Sequence, residues 1–301
     1  MQELLQQLAN GVVLGALYGL IALGYTMVYG IIQLINFAHG EIFMVGAFGS
    51  LFTWDFILGK PTSPWSIPLI LIGGVVAAVG VAVLMERFAY RPLRNAPRLA
   101  PLITAIGVSV FLQESVRLFY PGGRQAQLIF PQLISGPPVH IGSVEIDRPS
   151  IFILVVAIIC MVGLDAFVQR SRTGRAMRAT AQDPDTARLM GINTDRIIVT
   201  AFVLGAALAA VAGMSWGLKY GFVVFDIGFL AGLKAFTAAV LGGIGNLRGA
   251  VLGGFILGIV EAMATQFFGQ SWKDVSAFVI LILVLILRPQ GLLGERVADR
   301  A

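Results

Sequence analysis

Residues Ile151 to Val168 and Ile197 to Trp216 are two almost wholly apolar runs, and between them lies the polar segment Gln169 to Asn193. A helix needs about 20 mainly apolar residues to cross a bilayer. Two such runs flanking an arginine-rich stretch fit only one arrangement: the chain crosses a membrane twice and leaves the stretch in water. Arg170, Arg172, Arg175, Arg178 and Arg188 outweigh Asp183 and Asp185 there. That excess places the segment on the cytoplasmic side.

The pattern repeats along the chain. Apolar runs cover Gly11–Tyr29, Ile42–Phe56, Pro68–Met85, Pro101–Tyr120, Phe222–Ala239, Ala250–Phe268 and Val275–Leu287. The chain is 57% hydrophobic and 12% charged, where a soluble domain carries about 25% charged residues. The expected fold is therefore all-α: a polytopic transmembrane helix bundle of about 8–10 spans, one domain over residues 1–301. Arg87, Arg91, Arg94 and Arg98 lie in one short connection, and Arg296 and Arg300 in the tail; these join the 169–196 region inside. The N-terminus is then outside, as is the loop 121–149, where Val139–Ile146 can form a small hairpin. The start Met1-Gln2-Glu3 lacks a basic n-region, which argues against a cleaved signal peptide. The net charge of +5 is an orientation signal rather than a nucleic-acid patch.

The polar segment has helical grammar. Arg175–Gln182 holds good helix formers, with Gly174 just before them. Asp183-Pro184 reads as an N-cap followed by proline at the first helical position, and Gly191 stands where a C-cap glycine would. Two short helices with a joint at Asp183-Pro184 follow. Their alanines would let another protein's surface approach closely, with arginines making polar contacts. The competing reading is a solvated loop whose arginines only set topology. The ordered helix–cap–helix pattern favours a docking element over residues 170–196.

Enzymatic chemistry finds little material. The sequence contains no G-x-x-x-x-G-K-[S/T] phosphate loop, and Gly243-Ile244-Gly245 lacks the rest of a dinucleotide fingerprint. Two histidines and one cysteine are too few for a convincing metal cluster, and Cys160 alone forms no internal disulfide. Polar residues at membrane depth are more telling: Asn36, His39, Glu41, Gln113, Glu114, Asp165, Asp226, Lys234 and Glu261. A charge at the bilayer centre costs roughly 2.5–3.5 kcal/mol, so such groups face the protein interior or a water cavity. Glu41 reads as a helix N-terminal charge or a gate. Glu261 reads as an interhelical hydrogen-bonding group or a functional one, and Asp165 as interfacial. Asn36-Phe37-Ala38-His39-Gly40 and Asn246-Leu247-Arg248-Gly249 each interrupt an apolar region before a glycine-bearing helix. Breaks of that kind point to a translocation pathway, with Asn36, His39, Glu41, Gly46, Gly242, Gly243, Gly245 and Asn246 as its candidate residues.

Several stretches together carry a family resemblance. They are Gly19-Leu-Ile-Ala-Leu-Gly-Tyr-Thr-Met-Val-Tyr-Gly30, Ile35-Asn-Phe-Ala-His-Gly-Glu41, Thr173-Gly-Arg-Ala-Met-Arg-Ala179 with Asp183-Pro184 and Gly191-Ile192, and Gly242-Gly-Ile-Gly-Asn246. Over nearly its whole length the chain resembles the LivH-type permease subunits of bacterial ABC importers for branched-chain amino acids. The resemblance implies an ABC importer permease fold in the bacterial inner membrane and a non-enzymatic role. It implies a second homologous permease, two ATPase subunits that hydrolyse ATP, and a periplasmic binding protein facing residues 121–149. No cofactor or metal would be held by this chain, and its surroundings would be lipid, not nucleic acid. ATPase coupling would fall to Thr173, Gly174, Arg175, Ala176, Arg178, Ala179, Asp183, Pro184, Ala187 and Gly191. The glycines of the pathway would suit an apolar substrate side chain. A related importer of urea or short amides is the alternative. A secondary transporter or channel working without ATPases is a rival class and would need a membrane acid such as Glu41 or Glu261. An intramembrane enzyme would need convergent catalytic groups that the composition scarcely supplies.

Overall fold

The computed structural model describes residues 2–94, 96–97 and 99–294. Met1, Arg98, Arg296 and Arg300, which entered the topology argument, lie outside the described residues. The helices are α1 (Gln2–Ile32), α2 (His39–Phe52), α3 (Ile67–Met85), α4 (Leu99–Phe119), α5 (Arg148–Arg170), α6 (Arg172–Gln182), α7 (Pro184–Leu189), α8 (Thr194–Tyr220), α9 (Ile227–Gly242), α10 (Leu247–Phe268) and α11 (Lys273–Leu287). Four short strands decorate one end: β1 (Leu128–Ile129), β2 (Val139–Ile141), β3 (Val144–Ile146) and β4 (Phe222–Val223). β2 and β3 form the hairpin expected in the 121–149 loop, while β1 pairs with β4 across the sequence.

Seven described helical stretches are long and apolar enough to cross a membrane, those built on α1, α3, α4, α5, α8, α10 and α11. The two remaining expected spans differ. Residues 42–56 fall in α2, which closes in a π-helical turn, Thr53–Ile57. Residues 222–239 begin in a strand and a turn, and their helix α9 has 16 residues. At 1.5 Å per residue α9 reaches only about 24 Å, short of a hydrocarbon core of about 30 Å. Asp226 and Gly228 are why the apolar run overstated the helix: Asp226 takes the N-cap position.

Burial sorts the helices into an axis and a rim. The apolar window of α1 is 94% buried, whereas that of α11 is only 6% buried. Large apolar side chains such as Ile72, Ile103, Ile159 and Ile286 are exposed on the rim helices α3, α4, α5 and α11. Apolar surface turned outward and charge turned inward is the arrangement lipid demands. At the axis, glycines set the spacing. A Cβ on Gly15 would lie 2.7 Å from the Phe255 Cα, and one on Gly254 would lie 2.6 Å from the Gly19 Cα. Such small-residue faces are how helices pack closely where no hydrophobic effect drives them together.

Long-range polar contacts fix which ends share a face. Gln6 at the start of α1 exchanges 2.8 Å bonds with the Glu145 backbone in the hairpin. Lys219 at the end of α8 bonds Asp147 at 2.5 Å. The N-terminal end therefore lies with the 121–149 loop, opposite α6 and α7.

Candidate functional site

The arginine-rich end is a built structure, not a loose loop. Ser171 Oγ accepts from the Gly174 amide at 2.8 Å and caps α6. Gly174 is buried against the end of α5, where a Cβ would press on the Phe167 and Val168 carbonyls. Helix α6 thus starts at Arg172, earlier than the sequence suggests, and takes Gly174 into its first turn. The Arg178 guanidinium donates to the Val168 carbonyl, and Arg175 Nη1 to the Arg170 carbonyl at 3.2 Å. The joint is as expected. Asp183 Oδ1 accepts from the amides of Asp185 at 3.0 Å and Thr186 at 3.1 Å, with Pro184 at the first helical position. Gly191 sits at φ +83°, the left-handed conformation that ends a helix. Asn193 then caps α8 at the Arg196 amide, 3.0 Å away.

One expectation about this segment is corrected. Its alanines do not form the outward face. Ala187 is buried and Ala176 and Ala179 are half-buried, while Arg172, Arg175, Arg178 and Gln182 are exposed on α6. The second short helix exposes Pro184, Asp185, Thr186 and Arg188, and at its end the large apolar pair Leu189 and Met190, 87% and 79% exposed. Sequence reasoning missed this pair, though two large apolar residues in an otherwise polar stretch were a usable signal. Thr173 is half-buried on α6. The segment is braced to its neighbours. Asp195 accepts from Arg91 at 2.6 Å and Arg94 at 2.5 Å, and Arg94 also pairs with Glu86 at the end of the α3 helix.

The candidate pathway residues divide by contact. Gly46 packs on α8, where its Cβ would lie 2.8 Å from the Ala210 Cβ. Gly242 faces the Gly249 backbone, and Gly243, at φ +108°, meets the 290–294 segment. Asn246 Oδ1 caps α10 at the Gly249 amide, 3.0 Å away, and its Nδ2 donates to the Leu293 carbonyl at 2.8 Å. Gly245, at φ +97°, has open space around it. The contacts of Gly46, Gly242, Gly243 and Asn246 are those of helix packing and capping. The two breaks do precede the glycine-bearing helices α2 and α10, but their asparagines differ: the Asn36 side chain accepts from the Tyr90 hydroxyl at 2.7 Å instead of capping α2.

Around α2 the buried polar groups are incompletely paired. Glu41, fully buried in the first turn of α2, accepts from Ser109 at 2.9 Å and Gln113 at 2.8 Å through one oxygen. Among the described residues its other oxygen has no hydrogen-bond partner, nor do His39 Nε2, Tyr25 Oη or Asn36 Nδ2. His39 stands edge-on to Tyr25, ring centroids 4.7 Å apart. Gln113 therefore belongs with Glu41, whereas Glu114 pairs with Arg117 and Asp165 with Arg248 at 3.2 Å near the arginine-bearing end. Unpaired polar atoms in an apolar interior are costly, and they concentrate where α2 meets α1 and α9.

Glu261 forms a separate network. Its carboxylate takes the Tyr18 hydroxyl at 2.9 Å, Lys234 at 2.9 Å and Lys273 at 3.4 Å, and Lys234 also reaches Asp274 at 2.6 Å. Of this group the sequence singled out only Lys234 and Glu261, because Tyr18 reads as part of an apolar span and Lys273-Asp274 as loop.

Membrane-length helices with apolar rims, inward charges and a braced basic helix pair at one end define a multi-pass membrane protein of the permease class. The family described as "Branched-chain amino acid transport system / permease component" matches residues 7–286, and the chain belongs to it. The permease protein BraD of a high-affinity branched-chain amino acid transport system in Pseudomonas aeruginosa is 48% identical, covering 97% of this chain and 96% of that protein. LivH of Salmonella typhimurium is 48% identical over the same shares of both chains. A probable LivH of Methanocaldococcus jannaschii is 27% identical, covering 95% of this chain and 91% of its own. Among solved structures, a chain of PsaBC from Streptococcus pneumoniae in complex with Fab aligns over 96% of this chain and 91% of that chain, at a TM-score of 0.47 and 15% identity.

Proposed function

We propose that this chain is a membrane-spanning permease subunit of an ATP-driven importer that moves branched-chain amino acids into the cytoplasm across a bacterial inner membrane. Membership of the permease family and the names of the relatives support the substrate class. One structural observation carries the coupling role: α6 and α7, rigidly capped and braced, present arginines and the Leu189–Met190 pair on the basic face. A surface of that kind suits a groove on a separate ATPase, and ATP hydrolysis by partner subunits accords with a sequence that carries no phosphate-loop motif.

The working assembly is a second related permease, two ATPases and a periplasmic binding protein, with the 121–149 loop towards the binding protein. ATP binding closes the ATPases and shifts α6 and α7. The Arg91–Asp195–Arg94 contacts carry that shift to α3 and α8. A loaded binding protein drives the cycle only by preferring one conformation of the spans. The test is reconstitution with the neighbouring subunits in liposomes. ATP-dependent uptake of leucine, isoleucine or valine, indifferent to a proton uncoupler, is expected. Uptake that collapses with the uncoupler at constant ATP, or uptake of urea or amides alone, overturns the reading.

A further inference from the structure

We propose that the cavity between α8, α9 and the start of α11, at the outer face, receives the head group of a free zwitterionic amino acid with an aliphatic side chain. The proposal rests on the functional reading above for the direction of entry and the substrate class. The cavity holds about 300 Å³. Asp226, Lys234 and Lys273 border it together with Trp216, Leu230 and Ala231.

The pairing of these groups leaves complementary vacancies of charge. Lys234 is committed to two carboxylates, Glu261 at 2.9 Å and Asp274 at 2.6 Å. Lys273 is held loosely: its one ion pair among the described residues, to Glu261, is 3.4 Å long, and its side chain stays 25% exposed. It keeps N–H donors to offer. Asp226 is exposed, and its carboxylate has no hydrogen-bond or ion-pair partner among the described residues. The Trp216 indole N–H is buried without a hydrogen-bond partner among the described residues and belongs to the same wall. An α-carboxylate would take the Lys273 ammonium and the indole N–H. An α-ammonium would take Asp226, and an aliphatic side chain would lie along Leu230 and Ala231. A purely anionic or purely cationic solute would leave one of the two charged groups unanswered. A second cavity of about 320 Å³ shares Gln270 and Lys273 with the first. Lys273 thus stands between the two spaces, and a substrate carboxylate that draws it from Glu261 loosens the barrier between them.

The experiment uses the complete complex in nanodiscs without binding protein, with radiolabelled L-leucine as the probe. Competitors are 4-methylpentanoate, which lacks the ammonium, and isopentylamine, which lacks the carboxylate. Asp226→Asn should weaken leucine binding at least about tenfold and leave competition by the acid unchanged. Lys273→Met should weaken leucine and the acid and leave the amine unchanged. The charge-preserving Asp226→Glu and Lys273→Arg should retain most binding, which separates recognition from misfolding. Absence of saturable leucine binding to the wild-type complex, or identical binding in Asp226→Asn and Lys273→Met, overturns the assignment. ATP-driven uptake by wild type is scored separately. Intact uptake with unchanged binding in the variants removes the cavity alone, whereas no uptake of any branched-chain amino acid removes the functional reading itself.

Discussion

Lys234 Nζ lies 2.9 Å from Glu261 Oε1, and the two side chains are 6% and 0% exposed. Helices α9 and α10 are joined there by opposite charges sealed from water, with the Tyr18 hydroxyl of α1 on the same carboxylate. Removing one member of such a pair leaves the other uncompensated, at a cost of about 3–5 kcal/mol. Lys234→Met should therefore lower the thermal stability of the solubilised protein markedly, while the double variant Lys234→Met with Glu261→Gln should recover most of it. Equal losses in the single and double variants would contradict the pairing.

The cap at the α6–α7 joint is local and its effect should be local. Asp183→Ala removes the acceptor for two amides of α7, costing about 1 kcal/mol. Faster hydrogen exchange confined to residues 184–190 is the expected signature, and Asp183→Ser should restore protection.

On the arginine-bearing face, Leu189→Asp combined with Met190→Asp should abolish co-purification of ATPase subunits and leave membrane insertion intact, because both side chains are exposed. Ala187→Phe is the control. Ala187 is the buried residue of α7, so that variant should disturb the helix itself. Retention of the ATPases by the double aspartate variant would move the docking surface elsewhere.

A pH effect is expected at the outer end of α8. Burial alone would raise the Asp147 carboxyl, but hydrogen bonds from Lys219 and Ser150 outweigh it and hold Asp147 below its ordinary value. A depressed folded pKa contributes stability that is complete above the unfolded value, about 4, and disappears as pH falls through the folded value. Thermal stability should thus fall on acidification below about pH 4–5, and Asp147→Asn should flatten that part of the profile.

Gly46 tests packing against passage. Its Cβ position is already occupied by Ala210 of α8, so Gly46→Leu should reduce the yield of monodisperse protein. Normal folding with selective loss of uptake would assign Gly46 to the pathway instead.

Features spanning three or four residues were legible in the sequence. The Asp183-Pro184 joint, the Gly191 stop and the 139–146 hairpin depend on neighbours a few positions away, and the structure contains all three. The outward face of α6 and α7 was not legible. A stripe of alanines serves equally well for packing inward or docking outward, and here Ala187 went inward while Leu189 and Met190 stayed out. The role of the candidate pathway glycines was not legible for a related reason: a small residue marks a close approach without naming what approaches.

By itself the sequence determined that the chain spans a membrane several times and where a capped polar segment lies between two apolar helices. Length of apolar run, sign of charge and local capping chemistry are all properties of adjacent residues. Only the tertiary structure decided that α1 is the axis, that α9 stops short of a full crossing, and that Glu261 answers to Tyr18, Lys234 and Lys273. Those partners lie on different helices, and which helices touch is settled by close glycine contacts along α1 and α10, not by any pattern within one segment.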